Sequence, residues 1–393
     1  MIRDAQSVSS PIVDVPGSQH QGLRLIRAVY FFQFGAIGVI FPFLNLYYRE
    51  LGLSGVQIGV IASLSPLVAM VAGPLWGMFS DRTGQTRLLL ILAASGAIGT
   101  VAVLSTVHSY AAIVVLMALF AFFANPIHPL VDSTALQLLG GRRETYGRLR
   151  LWGSLGYVAT TWGFGQLLVR AGLHWLFLGY IVFMAIVPLL ATRLPVQRPP
   201  FQRPLRAGML ELARQRQWLL FMISLIVLGL TNSGANQFLS IYIKDLGGDE
   251  GLIGTAAAVS GLSEVPIMFM AAGLLARWGS RRVLMLAYAL FSVRWALYGF
   301  MSDPSWAIGI SLLHGPTFGA LWVAGVGYAD RLAPDDLKAT AQALFTAAFF
   351  SISSVIGAPL SGVLYDSIGP AMLFRLYAIV GVLALALLAQ ARG

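Results

Sequence analysis

Long apolar stretches, separated by short polar gaps, make up most of this chain. Each stretch holds roughly 20 to 30 residues, the length that a helix needs to cross a bilayer, and none shows the two-residue alternation of barrel strands. In lipid such a segment satisfies its backbone polar groups by forming a helix. The pattern predicts an all-α integral membrane protein with twelve transmembrane helices, over residues 24–48, 56–79, 87–107, 109–138, 147–170, 173–193, 217–243, 252–276, 283–301, 304–329, 338–364 and 370–390.

The composition agrees with a chain surrounded mostly by lipid. Hydrophobic residues make up 57% and charged residues only 11%, whereas soluble domains carry about 25% charged residues. The composition therefore argues against a soluble enzyme. Cysteine is absent, and the 5 His residues lack metal-site spacing, so we expect neither a metal nor another cofactor.

The net charge of +10 comes mainly from arginine in the short gaps, which is typical of a polytopic membrane protein and not of a nucleic-acid binder. Of the 26 Lys and Arg residues, 21 fall on one side of the predicted membrane and 4 on the other, with Arg294 between them. The positive-inside rule then predicts that both termini are cytoplasmic. Residues 1–22 are polar and lack a signal-peptide pattern, so they are predicted to be a disordered cytoplasmic tail.

The two halves of the chain repeat each other. Residues 41–90 align without a gap with residues 236–285, and Tyr47 matches Tyr242 in this alignment. Because six predicted helices separate the two segments, the halves share one orientation, which is a transporter architecture with its binding site at the midplane. The predicted domains are six-helix bundles at 23–194 and 217–393, related by a pseudo-two-fold axis along the membrane normal and joined by a proline-rich cytoplasmic linker at 195–216.

Four ionisable side chains fall inside predicted helices, where a charge costs roughly 2.5–3.5 kcal/mol on insertion scales. Glu264, Arg294 and His314 lie at similar depth in the second half, and Asp132 lies in the first. We interpret these four residues as a proton-coupling set, because a carboxylate binds protons more tightly when desolvated and less tightly beside a cation. The alternative interpretation is a structural ion pair between neighbouring helices.

A second set of polar residues indicates a substrate site. Asp132 and Arg150 are predicted to pair, either to close a gate or to hold a polar substrate. Tyr157 lies two helical turns beyond Arg150, on the same face, and can stack on a ring. Three amides are further candidates for lining a cavity, although small polar residues also join helices: Asn45, Asn232 and Asn236.

The loop between the second and third predicted helices resembles the Gly-x-x-x-Asp-Arg-x-Gly signature of the major facilitator superfamily. The matching residues are Gly77, Asp81, Arg82 and Gly84, with the second basic position displaced to Arg87. Together with twelve spans and repeated halves, this motif identifies the chain as a member of that superfamily. The resemblance implies a gating role for the five residues.

Other segments resemble the branch that contains the phenylpropionate permeases and, more distantly, lactose permease. They are residues 125–132, 146–154, 263–265, 293–295 and 313–318. The resemblance implies that Asp132 and Arg150 bind substrate, and that Tyr157 stacks on it. It also implies that Arg294 and His314 belong to a proton site. Thr317 replaces the carboxylate that carries the proton in lactose permease, so Glu264 or Asp132 must carry it here.

These patterns predict a secondary active transporter that works by alternating access, most simply as a proton symporter of a small polar or aromatic organic solute. The resemblance to the branch implies an aromatic acid, a nucleoside or a glycoside. The expected partners are this solute, protons and membrane lipid, and the expected state is a monomer in the bacterial cytoplasmic membrane. Proton-driven efflux is the first alternative, weakened because the fifth helix lacks proline. An intramembrane enzyme or a scaffold is the second; no enzyme motif supports it.

Overall fold

The computed structural model describes residues 16–139, 146–194, 212 and 214–391, and all regular structure within these ranges is helical. Most helices follow one another after turns of only a few residues, as expected when long apolar segments recross a membrane. The α-helices are α1 (Pro16–Ile40), α2 (Leu44–Glu50), α3 (Gly55–Thr83), α4 (Thr86–Leu104), α5 (Tyr110–Ala124), α6 (Ile127–Leu139), α7 (Tyr146–Ala171), α8 (Trp175–Ala191), α9 (Arg216–Asp245), α10 (Glu250–Gly299), α11 (Trp306–Ser311), α12 (Ala320–Leu332), α13 (Lys338–Thr346), α14 (Ser353–Ile368) and α15 (Pro370–Gln390).

Within the described ranges, nine helical stretches are long and apolar enough to cross a membrane. One of them, α10, covers two predicted segments and bends at Gly279, whose φ of 74° and ψ of 154° are not helical. A further predicted segment corresponds to α8, which is shorter at 17 residues. The predicted tail overlaps α1, since this helix begins at Pro16. Most of the predicted linker lies outside the described residues.

Helices α1 and α7 pack closely through small residues. The Thr160 hydroxyl donates to the carbonyl of Gly35 at 2.9 Å, and the Thr161 hydroxyl donates to the carbonyl of Gly38 at 3.0 Å. Hydroxyl-to-carbonyl bonds of this kind hold membrane helices together where no hydrophobic effect drives them to associate. The contact fixes which faces of α1 and α7 point away from each other.

At one end of the molecule, here called the closed end, helices from the two halves of the sequence touch. The backbone N–H groups of Gly55 and Val56, at the start of α3, donate to the two carboxylate oxygens of Asp366 on α14 at 2.9 and 3.0 Å. A negative charge is favourable there because a helix N-terminus carries partial positive charge. The backbones of Gly165 on α7 and Gly254 on α10 are also in close contact. A Cβ added to Gly165 would lie only 3.0 Å from the Cα of Gly254.

The opposite end, here called the open end, lacks such contacts within the described part of the chain. A Cβ added at Gly73 or Gly77 of α3, or at Gly273 of α10, would meet no atom within 4 Å. Since α3 and α10 each touch the other half at the closed end, the two halves diverge toward the open end.

Candidate functional site

A cavity of about 400 Å³ lies between the halves, lined by α1, α7, α9, α10 and residues 311–318. Side chains from both halves of the sequence therefore face a common space, as expected for a binding site between two repeats. Six of the predicted site residues line it: Arg150, Tyr157, Asn236, Glu264, Arg294 and His314.

Three of these residues form a continuous hydrogen-bonded chain. The Nε2 atom of His314 lies 3.0 Å from Oε1 of Glu264, and its Nδ1 atom lies 2.9 Å from a terminal guanidinium nitrogen of Arg294. The side chains of His314 and Glu264 keep 16% and 25% of their surface exposed. These hydrogen-bonded side chains therefore border the cavity, although most of their surface is shielded from water. The structure thus brings together the three second-half residues predicted for proton coupling.

The hydrogen bonds of this chain define the protonation state of His314. A guanidinium group can only donate, so Nδ1 of His314 must accept from Arg294. Its Nε2 atom then carries the proton and donates to the Glu264 carboxylate. The assignment makes His314 a neutral imidazole that accepts from Arg294 and donates to Glu264.

A local break in helical geometry brings His314 to Glu264. Residues Gly315–Gly319 form a π-helical turn, a feature that often occurs at functional sites. The backbone N–H of Gly315 donates to the Ser263 hydroxyl at 2.8 Å, and a Cβ on Gly315 would overlap the Ser263 carbonyl. Only glycine permits this approach, which places the neighbouring His314 beside Glu264.

Arg294 is more deeply buried than its partners, with 4% of its surface exposed. Its guanidinium carbon lies 5.1 Å from the ring centroid of Trp295 and 5.7 Å from that of Tyr298, and its terminal nitrogen lies 3.4 Å from the Thr317 hydroxyl. Aromatic faces stabilise a cation that has lost its water. Thr317 therefore contributes a hydroxyl contact to the set of hydrogen-bonded side chains.

Arg150 occupies a different environment on the first-half side of the cavity. Its guanidinium carbon lies 3.8 Å from the ring centroid of Phe34 on α1. Among the described residues, Arg150 makes no hydrogen bond or ion pair. A Cβ on Gly153, one turn along α7, would lie 2.9 Å from a terminal nitrogen of Arg150 and 2.8 Å from the Phe34 ring. Glycine at this position leaves the room that the stacked pair occupies.

The predicted ion pair between Asp132 and Arg150 does not form. Asp132 instead accepts a hydrogen bond from the Tyr30 hydroxyl at 2.6 Å, and its second oxygen lies 3.4 Å from Nε2 of His128. These partners lie on α1 and one turn back along α6, so they bind Asp132 to its own half of the sequence. Asp132 is not among the residues that line the cavity.

We predict that Asp132→Asn lowers thermal stability more than it changes ligand affinity. The amide keeps an acceptor for Tyr30 but loses the charge that strengthens this bond, a change of about 1–2 kcal/mol. Melting temperature and ligand affinity of the purified variant measure the two effects. A tenfold loss of ligand affinity at unchanged melting temperature would show that Asp132 contributes to the substrate site.

The remaining predicted site residues have mixed placements. Asn45 donates to the side-chain oxygen of Gln237 at 2.6 Å, so it joins α2 to α9 and does not face the cavity. Asn232 is 4% exposed and its side-chain oxygen has no hydrogen-bond partner. Asn236 and Tyr157 do face the cavity, from α9 and α7.

The predicted gating loop lies at the open end of α3. The helix ends at Gly84, whose φ of 62° is left-handed and whose N–H bonds to the Ser80 carbonyl, so this glycine forms the turn into α4. Gly77 and Arg82 are exposed, and Arg87 is partly exposed. The side chain of Asp81 lies outside what the structure describes.

Phe34 is a site residue that sequence reasoning missed. Aromatic residues are frequent in the apolar segments, and nothing in their spacing distinguishes Phe34 from Phe31 or Phe32. Its role depends on the contact between α1 and α7, which directs it toward Arg150. Sequence alone also gave no signal for Ser154 and Ser311, which add hydroxyl groups to the lining.

Known proteins resemble this chain over nearly its whole length. Residues 23–376 match the MFS_1 like family. Maltose permease of Geobacillus stearothermophilus is 34% identical over 369 residues, covering 92% of this chain and 93% of that protein. The probable 3-phenylpropionic acid transporter of Escherichia coli is 26% identical over 363 residues, covering 89% and 93%. The crystal structure of the nucleoside transporter NupG superimposes with a TM-score of 0.85 at 18% identity, covering 94% of this chain and 98% of that one.

Proposed function

Because the chain belongs to the MFS_1 like family of transporters, as its loop motif predicted, we propose that it is a proton-coupled symporter. It takes up a small polar or aromatic organic solute by alternating access. One observation carries the proposal: the hydrogen-bonded chain of Glu264, His314 and Arg294 borders the cavity between the two halves. An ionisable carboxylate in this position can bind a proton and can also contact a solute in the cavity.

The proposed architecture is two six-helix bundles of twelve spans in all, with the halves rocking about the cavity. The contacts support it, since α1 packs on α7 and α8 in the first half just as α9 packs on α14 and α15 in the second. Both termini face the cytoplasm of a bacterial cell, and the protein works as a monomer in the inner membrane. With this orientation the open end faces the cytoplasm.

In this mechanism Glu264 takes up the proton. In the described conformation its ionised carboxylate accepts a hydrogen bond from His314, which in turn accepts from Arg294. Protonation of Glu264 removes the charge that strengthens the first bond, and this frees the carboxyl group to change partners as the halves move. Return of the carboxylate to His314 releases the proton on the other side.

The proposed substrates are aromatic acids, nucleosides or glycosides. The similar proteins described above, a maltose permease, a probable 3-phenylpropionic acid transporter and a nucleoside transporter, support this range. The lining supports it as well, because it combines aromatic and aliphatic side chains with a few hydroxyl, amide and charged groups, as small-molecule sites do.

Uptake into proteoliposomes with and without an inward pH gradient tests the proposal. We expect at least one labelled solute among 3-phenylpropionate, uridine and maltose to accumulate above equilibrium only when the gradient is present. Accumulation driven by the reversed gradient would indicate an efflux antiporter. If no solute in this set moves under any gradient, the symport proposal fails.

A further inference from the structure

We infer that two arginines at the open end of the second half bind the headgroup of an anionic phospholipid. They are Arg281 of α10 and Arg331 of α12, and they lie beside the end of α15. Neither residue lines the cavity, so the site is separate from the one that binds the transported solute. A lipid bound there would connect the ends of three helices.

The bend of α10 determines the position of both arginines. A terminal nitrogen of Arg331 lies 3.4 Å from the hydroxyl of Ser280 and would lie 4.0 Å from a Cβ on Gly279, the residue at the bend. A terminal nitrogen of Arg281 donates to the carbonyl of Ala389 at 3.0 Å. Gly279 has a φ of 74°, which side chains with a Cβ rarely adopt, so glycine is favoured at this bend.

A tyrosine hydroxyl lies near both guanidinium groups. Tyr328, on α12 one turn before Arg331, is close enough to both Arg281 and Arg331 to interact with each electrostatically. Its hydroxyl donates to the carbonyl of Ala391 at 3.1 Å. Since carbonyl and hydroxyl groups are neutral, these contacts orient the two guanidinium groups and leave their charges uncompensated.

No carboxylate among the described residues forms an ion pair with either arginine. The acidic residues that are nearest in sequence to α12's end have other partners. Asp330 accepts a hydrogen bond from the amide of Gln342 at 2.7 Å. Asp335 pairs with Lys338 at 2.7 Å. Two like charges held close together at the end of a membrane helix therefore lack an anion, and an anionic ligand would lower the cost of their repulsion.

A phosphate group suits this pair of cations. Guanidinium groups bind phosphate oxygens through parallel N–H groups, and two of them can share one phosphate. Arg281 also has an unused donor, because its Nε atom is shielded from water and has no hydrogen-bond partner among the described residues. A phosphate could come from a lipid headgroup or from the aqueous phase.

The surface of α10 beyond the bend favours the lipid. Arg282 is exposed, and the exposed side chains at helical spacing after it are apolar: Leu286, Val293 and Leu297. In a bilayer this stripe contacts acyl chains. Trp278, exposed just before the bend, is of the residue type that is enriched where a membrane meets water. A ligand with a charged headgroup and apolar chains therefore matches both parts of the surface.

The proposed orientation agrees with this ligand. With the open end toward the cytoplasm, the two arginines face the inner leaflet, and basic pockets between membrane helices on that side bind anionic headgroups. Phosphatidylglycerol, which carries one net negative charge, is the direct probe. Phosphatidylcholine contains the same phosphate but no net charge, so it is the matched neutral lipid.

The test titrates the purified full-length protein in neutral detergent with phosphatidylglycerol or with phosphatidylcholine of the same acyl chains. Native mass spectrometry counts the retained lipids, and a thermal melt measures stability. We expect phosphatidylglycerol to bind at least about tenfold more tightly than phosphatidylcholine, since each arginine near a membrane surface contributes to the attraction. It should also raise the melting temperature, because it binds the folded form.

Arg281→Gln combined with Arg331→Gln should lower this preference to about twofold or less. Arg331→Gln alone keeps the bond from Arg281 to α15, so it provides the test if the double variant does not fold, and it should lower the preference at least about threefold. The matched control is Arg214→Gln combined with Arg216→Gln. These two arginines are exposed at the start of α9, and their replacement removes the same charge. The control should keep the wild-type preference.

Three results would overturn the inference. The first is equal binding of the two lipids, and the second is an equal loss of preference in the control and in the site variants. The third is inorganic phosphate that displaces phosphatidylglycerol and raises the melting temperature as much, which would indicate a site for a free anion. None of these measurements uses a transported solute, so each leaves the symport proposal unchanged.

Discussion

Glu264→Gln is expected to reduce uphill uptake to a concentration ratio of about 1, while solute exchange continues. A glutamine side chain still accepts a hydrogen bond from His314 but cannot bind and release a proton, so the carrier moves solute without coupling. Each unit of pH gradient is otherwise worth about tenfold accumulation, since about 1.4 kcal/mol corresponds to a factor of ten. Accumulation and counterflow of labelled solute in proteoliposomes measure the two activities separately.

The matched control is Glu50→Gln. Glu50 is exposed at the end of α2 and lies outside the cavity lining, so the same chemical change there should leave accumulation near the wild-type value. Wild-type accumulation in Glu264→Gln would show that another group carries the proton. If the folded variant lost both accumulation and counterflow, Glu264 would be required for the conformational change of the carrier itself.

Gly362→Leu is expected to hold α14 and α3 apart at the closed end and to suppress uptake. A Cβ at Gly362 would overlap the Gly55 carbonyl and approach the Cα of Val56 to 3.0 Å. These are backbone atoms that cannot rotate away, so α14 and α3 must separate. Overpacking of this kind costs about 1–3 kcal/mol, which shifts a two-state population by about 5- to 150-fold.

The absence of cysteine makes this shift directly measurable. A single cysteine introduced at Ser240, which lines the cavity, can react with a membrane-impermeant maleimide added from the side that the closed end faces. Gly362→Leu should increase the labelling rate several-fold. Gly99→Leu is the control, because a Cβ there meets no atom within 4 Å. Equal labelling rates in the two variants would contradict a barrier formed by α3 and α14.

Much of this protein follows from local sequence properties. Apolar length alone predicts where helices form, because each span must satisfy its own backbone in lipid. Of the predicted boundaries, 370–390 coincides with α15 at both ends. The high cost of charge inside a span likewise drew attention to Glu264, Arg294 and His314, and the structure joins these three side chains by hydrogen bonds.

Only the tertiary structure decided which side chains meet, because sequence gives neither the rotation of a helix about its axis nor the separation of two helices. Asp132 and Arg150 were expected to pair, yet α1 supplies Tyr30 to the first and Phe34 to the second. Likewise the approach of His314 to Glu264 depends on a close backbone contact at Gly315. These contacts leave Arg150 stacked on Phe34 and lining the cavity, whereas Asp132 is bonded within its own half of the sequence.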